Sequence, residues 1–118
     1  MQDLKKRFKE FAIHCAELIQ KLPGTTANRA YSNQLIRSSS STGANYRAAL
    51  RGKSSADFIN KLKIVEEEID ESVYFLELIL HFNQDLSIEI NELIKEANEL
   101  TAITVQSIKT ARSKLRTS

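Results

Sequence analysis

One proline, three glycines, one cysteine and no tryptophan are present in 118 residues. Each scarcity excludes something. A lone Cys15 cannot close an internal disulfide, and it cannot supply a zinc signature built on paired cysteines. With so few glycines and prolines the chain has few places to turn, and Pro23-Gly24 is the strongest breaker. No run of about eighteen apolar residues exists, so no membrane span is expected. No segment alternates apolar and polar residues with β-branched enrichment, so strand signals are missing. The N-terminus goes straight into Lys5, Lys6 and Arg7, which gives no apolar leader to read. A reduced, cytoplasmic chain is the expectation.

What the chain does contain is helical periodicity. With 42% hydrophobic and 27% charged residues it has the composition of an ordinary soluble globular protein. Leu4, Phe8, Phe11, Cys15, Leu18 and Leu22 form one seam at steps of four and three, which predicts a first helix over about residues 3–22. Thr26 is the expected N-cap of a second helix running to about residue 52, where Gly52 stands as a C-cap. Ser54 and Asp57 resemble a capping box and start a third helix over 55–82, with Phe58, Leu62, Val65, Ile69, Ser72 or Val73, Leu76 and Leu80 as its seam. After Asn83-Gln84-Asp85, a fourth helix over 87–115 buries Ile90, Leu93, Ala97, Leu100, Thr104, Ile108, Ala111 and Leu115. Short connections make consecutive helices antiparallel. The expected fold is all-α: an up-down-up-down antiparallel four-helix bundle forming a single domain over 1–118.

The second helix is the unusual one. Its inward face, Tyr31, Leu35, Ser38, Thr42, Asn45 and Ala49, crosses the serine run Ser38–Ser41, which would read as loop by composition alone. A face of small residues lets a neighbouring backbone come close. Helix 3 carries a second stripe through Asp57, Lys61, Ile64, Glu68, Glu71, Phe75, Leu78 and Phe82. It is either the edge of a broad core face or a surface for self-association.

The net charge of +2 conceals segregation along the chain. Leu18 to Ala56 contains no acid, whereas Asp57 to Glu99 holds Glu66, Glu67, Glu68, Asp70 and Glu71, and the tail is basic again. On helical geometry Arg29, Arg37, Arg47 and Arg51 lie opposite the Tyr31–Ala49 seam as one outward stripe, with Lys53 just beyond. Such a stripe meets either acidic helices of the same or a neighbouring subunit, or phosphates. A sequence pI of about 8.7 falls below that of a dedicated nucleic-acid domain.

Catalytic patterns are sparse. His14 and His81 each follow a glutamate by four residues, Glu10 and Glu77, which is the wrong spacing for the Glu-x-x-His of a di-iron bundle. There is no glycine-rich phosphate loop. Arg7 and His14 fit the loose Arg-x(4–6)-His pattern of HEPN-type ribonucleases, but in the first helix rather than near the start of a late one. No enzyme activity, metal, cofactor or small-molecule substrate is expected.

The segments Gln34-Leu-Ile-Arg-Ser-Ser-Ser-Ser-Thr-Gly-Ala-Asn45-Tyr-Arg-Ala, Ser55-Ala-Asp-Phe-Ile-Asn-Lys-Leu62, Ile64-Val-Glu-Glu-Glu-Ile-Asp-Glu-Ser72 and Tyr74-Phe-Leu-Glu-Leu-Ile79 resemble the bacterial 23S rRNA-intervening-sequence proteins. That resemblance implies an up-down bundle assembling as a homopentamer, with no established catalysis. Family members occur in sequences inserted in ribosomal RNA genes, though many are encoded elsewhere. A similar branch, the accessory protein of diversity-generating retroelements, forms a basic pentameric barrel and associates with nucleic acid and a reverse transcriptase. The acidic third helix of this chain departs from that branch. Two groups of contacts follow as expectations. Arg37, Asn45, Glu68 and Glu71 form a structural polar network at or near a subunit interface, costly to break if buried. Ile64, Phe75, Leu78 and Phe82 form the oligomer stripe. Arg29, Arg37, Arg47, Arg51 and Lys53 are left to touch either a sister subunit or RNA or DNA. A purely structural assembly without nucleic acid is the competing reading.

Overall fold

The computed structural model describes residues 3–117 and contains four α-helices: α1 (Leu4–Lys21), α2 (Thr26–Leu50), α3 (Ser55–Phe82) and α4 (Ser87–Thr117). Each boundary has a chemical cause. Asp3 accepts the Lys6 N–H at 3.2 Å and starts α1. Leu22 sits in extended backbone ahead of Pro23, whose ring disfavours a helical predecessor, and α1 stops there. Thr25 rather than Thr26 caps α2, accepting the Asn28 N–H at 3.1 Å. The helix ends at Leu50, with Arg51 as its C-cap. The expected role of Gly52 is therefore different: a Cβ there would lie 3.1 Å from the Ala49 carbonyl oxygen and 3.3 Å from the Phe58 nitrogen, so a side chain in the turn into α3 would press on backbone on both sides. Ser54 caps α3 by accepting the Asp57 N–H at 3.1 Å. A single 3₁₀ turn over Gln84–Leu86 carries the chain into α4.

The helices pack in a ring, each touching its sequence neighbours, with α1 also closing against α4. The result is an antiparallel bundle, 53 × 21 × 20 Å. Phe8, Phe11, Cys15 and Leu18 of α1 meet Leu35 of α2, Val65, Ile69, Leu76 and Ile79 of α3, and Ile90, Leu93, Ala97 and Leu100 of α4. Burying each of the larger aliphatic side chains favours folding by roughly 1.5–3 kcal/mol. Toward the end where α1 begins, a smaller cluster of Ala49, Ile59, Leu62 and Ile108 takes over.

Two expected seams are corrected. On α3 the buried positions are Ile59 and Ile79, while Phe58 and Leu80 are only half-buried: from Leu62 the buried face repeats every seven residues through Ile79 to Asn83, and at the start of the helix it shifts by one position to Ile59. On α4, Leu115 is 45% exposed rather than buried.

The serine-rich face of α2 does what small residues permit. Ser38, Ser39 and Thr42 are fully buried, and the Ser38 and Ser72 hydroxyls meet at 2.8 Å between α2 and α3. Each also reaches its own helix backbone, Ser38 to the Leu35 carbonyl and Ser72 to that of Glu68, so no buried hydroxyl is left unpaired. On the α1 side, an added Cβ at Gly43 would stand 3.4 Å from the Phe8 Cβ and 3.7 Å from its carbonyl carbon. Cys15 is buried against Ser39, and burial pushes its thiol up to about 12, which leaves it unreactive at neutral pH.

Candidate functional site

Antiparallel packing brings together cations that are far apart in sequence. At the end where α1 and α3 begin and α2 and α4 stop lie Lys5, Lys6, Arg7 and Lys9 of α1, then Arg47, Arg51 and Lys53. The same end holds Lys61 and Lys63 of α3 and Lys109, Arg112, Lys114 and Arg116 of α4. The acids there are Asp3, Glu10 and Asp57, with Glu96 and Glu99, which hold Arg7. Thirteen of the seventeen Lys and Arg residues therefore share this end with five of the fifteen acids, and the rest of the bundle is correspondingly acidic. The contact of the Phe8 and Tyr46 rings at 4.9 Å fixes the α1–α2 register. It places Arg47 in a groove with Lys5, Lys6 and Lys9, floored by Ala12, Ile13 and Gly43.

The α2 arginines are all exposed but do not act as one row. Arg29 turns back to the Gly24 carbonyl. Arg37 turns toward α3, binding Glu68 at 3.2 Å and also Glu71. Arg47 faces α1, while Arg51 and Lys53 border a shallow pocket with Asp57, Lys61 and Ile64. The split arises because residues ten apart on a helix, such as Arg37 and Arg47, point about 80° apart at 100° per residue.

Three of the four expected network members are brought together. Asn45 stays outside, donating instead to the Ser41 hydroxyl at 2.9 Å and carbonyl at 3.0 Å. The Arg37 side chain is 48% exposed, so this is a surface triad and not a buried ion pair. Desolvation and the neighbouring Glu71 hold the Glu68 carboxyl above its ordinary range despite the Arg37 charge.

Along the second stripe of α3, Phe75 and Phe82 are partly used within the chain, because Tyr31 of α2 packs against both rings at 6.3 and 6.2 Å. Leu78 is half-buried; Phe82 remains 56% exposed and Ile64 37%. Tyr74, absent from the expected stripe, is also 56% exposed and stacks edge-on with Phe75.

Arg7 and His14 do not combine into a catalytic pair. Two turns separate them on α1, and the Arg7 guanidinium is held by Glu96, with Nε to carboxylate at 3.0 Å, and by Glu99. Those bonds push its pKa upward. His14 lines a groove of carboxylates with Glu10, Glu17 and Glu92. Among the described residues no group of His, Cys, Asp and Glu could hold a metal ion, and no helix is long and apolar enough to cross a membrane.

Several cross-chain contacts escaped the sequence reading. Arg7–Glu96, Lys21–Glu89 and the buried amide pair Asn28–Asn83 each join segments whose only sequence signal is the topology itself. The grouping of α1 lysines with Arg47 was available from that topology, since an up-down bundle puts the start of its first helix beside the end of its second.

Comparison with known proteins adds family and fold. No curated protein matches the chain. A crystal structure of a protein of unknown function from the S23 ribosomal protein family of Bacteroides thetaiotaomicron VPI-5482 is similar, at 31% identity and a TM-score of 0.78. The match covers 91% of this chain and 99% of that one. The sequence profile of the 23S rRNA-intervening sequence proteins matches residues 2–106. By that match, which spans most of its length, the chain belongs to the 23S rRNA-intervening sequence protein family.

Proposed function

We propose that this protein is a non-enzymatic, cytoplasmic helical bundle that assembles as a homo-oligomer of pentameric type and contacts RNA or DNA phosphates through its basic end. The observation that carries the nucleic-acid reading is the axial segregation of charge. An end with eight more cations than acids attracts a polyanion although the whole chain is only +2. Self-association is supported by Tyr74, Phe82 and Ile64 on the outer side of α3, beside the Arg37–Glu68–Glu71 triad. Exposed aromatic side chains next to satisfied charges are the usual makings of an interface.

The test pairs two measurements. Binding of a labelled RNA and a DNA duplex is measured between 50 and 200 mM salt, with wild type and with Lys9→Glu/Arg47→Glu. Affinity should fall steeply with salt, and the double variant should lose at least tenfold. Salt-independent or absent binding favours the competing reading, a self-assembling protein without a nucleic-acid role. Sedimentation of wild type and of Tyr74→Glu/Phe82→Glu tests assembly separately; a monomeric wild type defeats it.

A further inference from the structure

The outer face of α3 is acidic as well as apolar. Glu67, Asp70 and Glu77 are exposed around Tyr74, and none meets a cation of its own chain among the described residues. Two copies joined through this face alone would set carboxylates against carboxylates, which opposes association. Nor can a face that meets only itself build a ring of five, because a cyclic assembly above the dimer joins two different faces. Self-association of that kind needs a second, complementary face on the same chain.

The side formed by α1 and α2 has the matching character. Ile13 is 46% exposed and Ile36 42%, which makes them the large apolar side chains that α1 and the middle of α2 leave uncovered. On α2, Ile36 leads at steps of four and three to Ser40 and Gly43, small residues that let a foreign helix come close. The helix-borne carboxylates of α1, Glu10 and Glu17, turn away into the groove with α4, and α2 has no carboxylate at all. Lys5, Lys9 and Arg47 edge this side and meet no acid among the described residues.

The two faces also match in height. Ser38 and Ser72 stand side by side, so residues equally far from them in opposite sequence directions are level in the antiparallel pair. Ile36 is level with Tyr74, Ser40 with Asp70, and Gly43 with Glu67. The Phe8–Tyr46 contact extends the scale to α1: Ile13 is level with Ser41, and Lys9 lies within about 3 Å of rise of Glu67. Toward the basic end the match stops, because Arg47 is level with Lys63.

We propose that the α1–α2 face around Ile13 and Ile36 receives the outer face of α3 of a second copy. Tyr74 of one copy lies on Ile36 of the next, and the α3 carboxylates approach Lys9. Copies then stand side by side around an axis parallel to the bundle. This rests on the self-association proposed above and names the surface it uses. Like charge at Arg47 and Lys63 ends the contact there, which leaves the basic ends of all copies together on one rim.

Introduced cysteines test the geometry in a Cys15→Ala background. Ile36→Cys with Tyr74→Cys in one chain should, under mild oxidation, give a ladder of disulfide-linked oligomers on a denaturing gel. Ser40→Cys with Asp70→Cys, one turn further along, should do the same. Each single cysteine should run as a monomer, and two complementary single variants assembled together should give dimers and nothing longer. Ile13→Glu and Ile36→Glu should each lower the sedimenting mass of the native protein at least twofold with unchanged circular dichroism. Ile88→Glu, at a side chain 79% exposed on α4, should not. Dimers from Tyr74→Cys alone overturn the proposal in favour of an α3–α3 contact. A wild type that assembles while neither cysteine pair gives a ladder overturns it and leaves self-association standing. A monomeric wild type removes both.

Discussion

Where α2 meets α3, the buried residues at the centre of the contact are Ser38 and Ser72, two hydroxyls 2.8 Å apart with aliphatic side chains on either side. Where α1 meets α4, the bridging groups are long and charged: Arg7 to Glu96 and Glu99, and Lys21 to Glu89 at 3.0 Å. A groove of about 670 Å³ opens between those two helices. The first seam is set by shape and tolerates no added volume. The second is set by charge across a gap and tolerates change readily. One bundle thus contains a rigid hairpin and a more loosely attached first helix.

Four experiments would break or sharpen that contrast. The largest effect should come from Ser38→Leu, which forces a branched side chain into the hydroxyl contact; overpacking of this kind costs about 1–3 kcal/mol, visible as a lower urea midpoint. The double variant Ser38→Ala/Ser72→Ala should be nearly neutral, because both partners become apolar together. If Ser38→Leu is tolerated, the seam is not close-packed. Next comes Asn28→Ala. Asn28 and Asn83 are 3% exposed and bond reciprocally at 3.1 and 2.8 Å. Removing one leaves a buried amide oxygen without its partner, at about 1–2 kcal/mol by the same readout.

Cys15 extends the comparison to the α1–α2 seam through pH. Its thiol ionises near 9 when the chain is unfolded but only near 12 when buried. Below pH 9 both states are neutral, and the group adds no pH dependence. Between 9 and 12 the unfolded chain releases a proton that the folded one retains, so stability falls as pH rises, by up to about 1.4 kcal/mol per unit. Cys15→Ala should remove that slope; equal slopes above pH 9 would show the thiol reaching solvent. The smallest effect belongs to Arg7→Ala, at most about 1 kcal/mol, and the loss should shrink in high salt. A salt-independent loss would mean that α1 is held by packing rather than by its ion pairs.

Much of this was legible in the sequence. The step of four and three that runs from Phe8 to Leu18 is a property of α1 alone, and so it predicted the buried residues of α1 closely. The tight face of α2 was also readable, because Ser38 and Thr42 fall in register with Leu35. Less legible was anything set by two helices at once. Arg37 could be placed opposite a carboxylate-rich segment, but which carboxylates it reaches depends on helix rotation, and Glu71 joined Glu68 while Asn45 did not. Phe58 lost its expected place to Ile59, where the buried face of α3 departs from the step of four and three that the rest of the helix keeps. The basic end existed in the sequence only as separate fragments until the antiparallel register joined them.

The Asn28–Asn83 pair has one more consequence. A seam of small hydroxyls is smooth: Ser38 and Thr42 offer similar surfaces one turn apart, so α3 sliding by a turn along α2 would meet much the same landscape there. Two facing amides do not slide. Each donates to the other, and each also bonds a backbone carbonyl of its own segment, Pro23 and Ile79 respectively. A shift by a single turn breaks the reciprocal pair. The hairpin thus has a registration mark at the end away from its turn, so a folding chain can tell the correct alignment from its near copies.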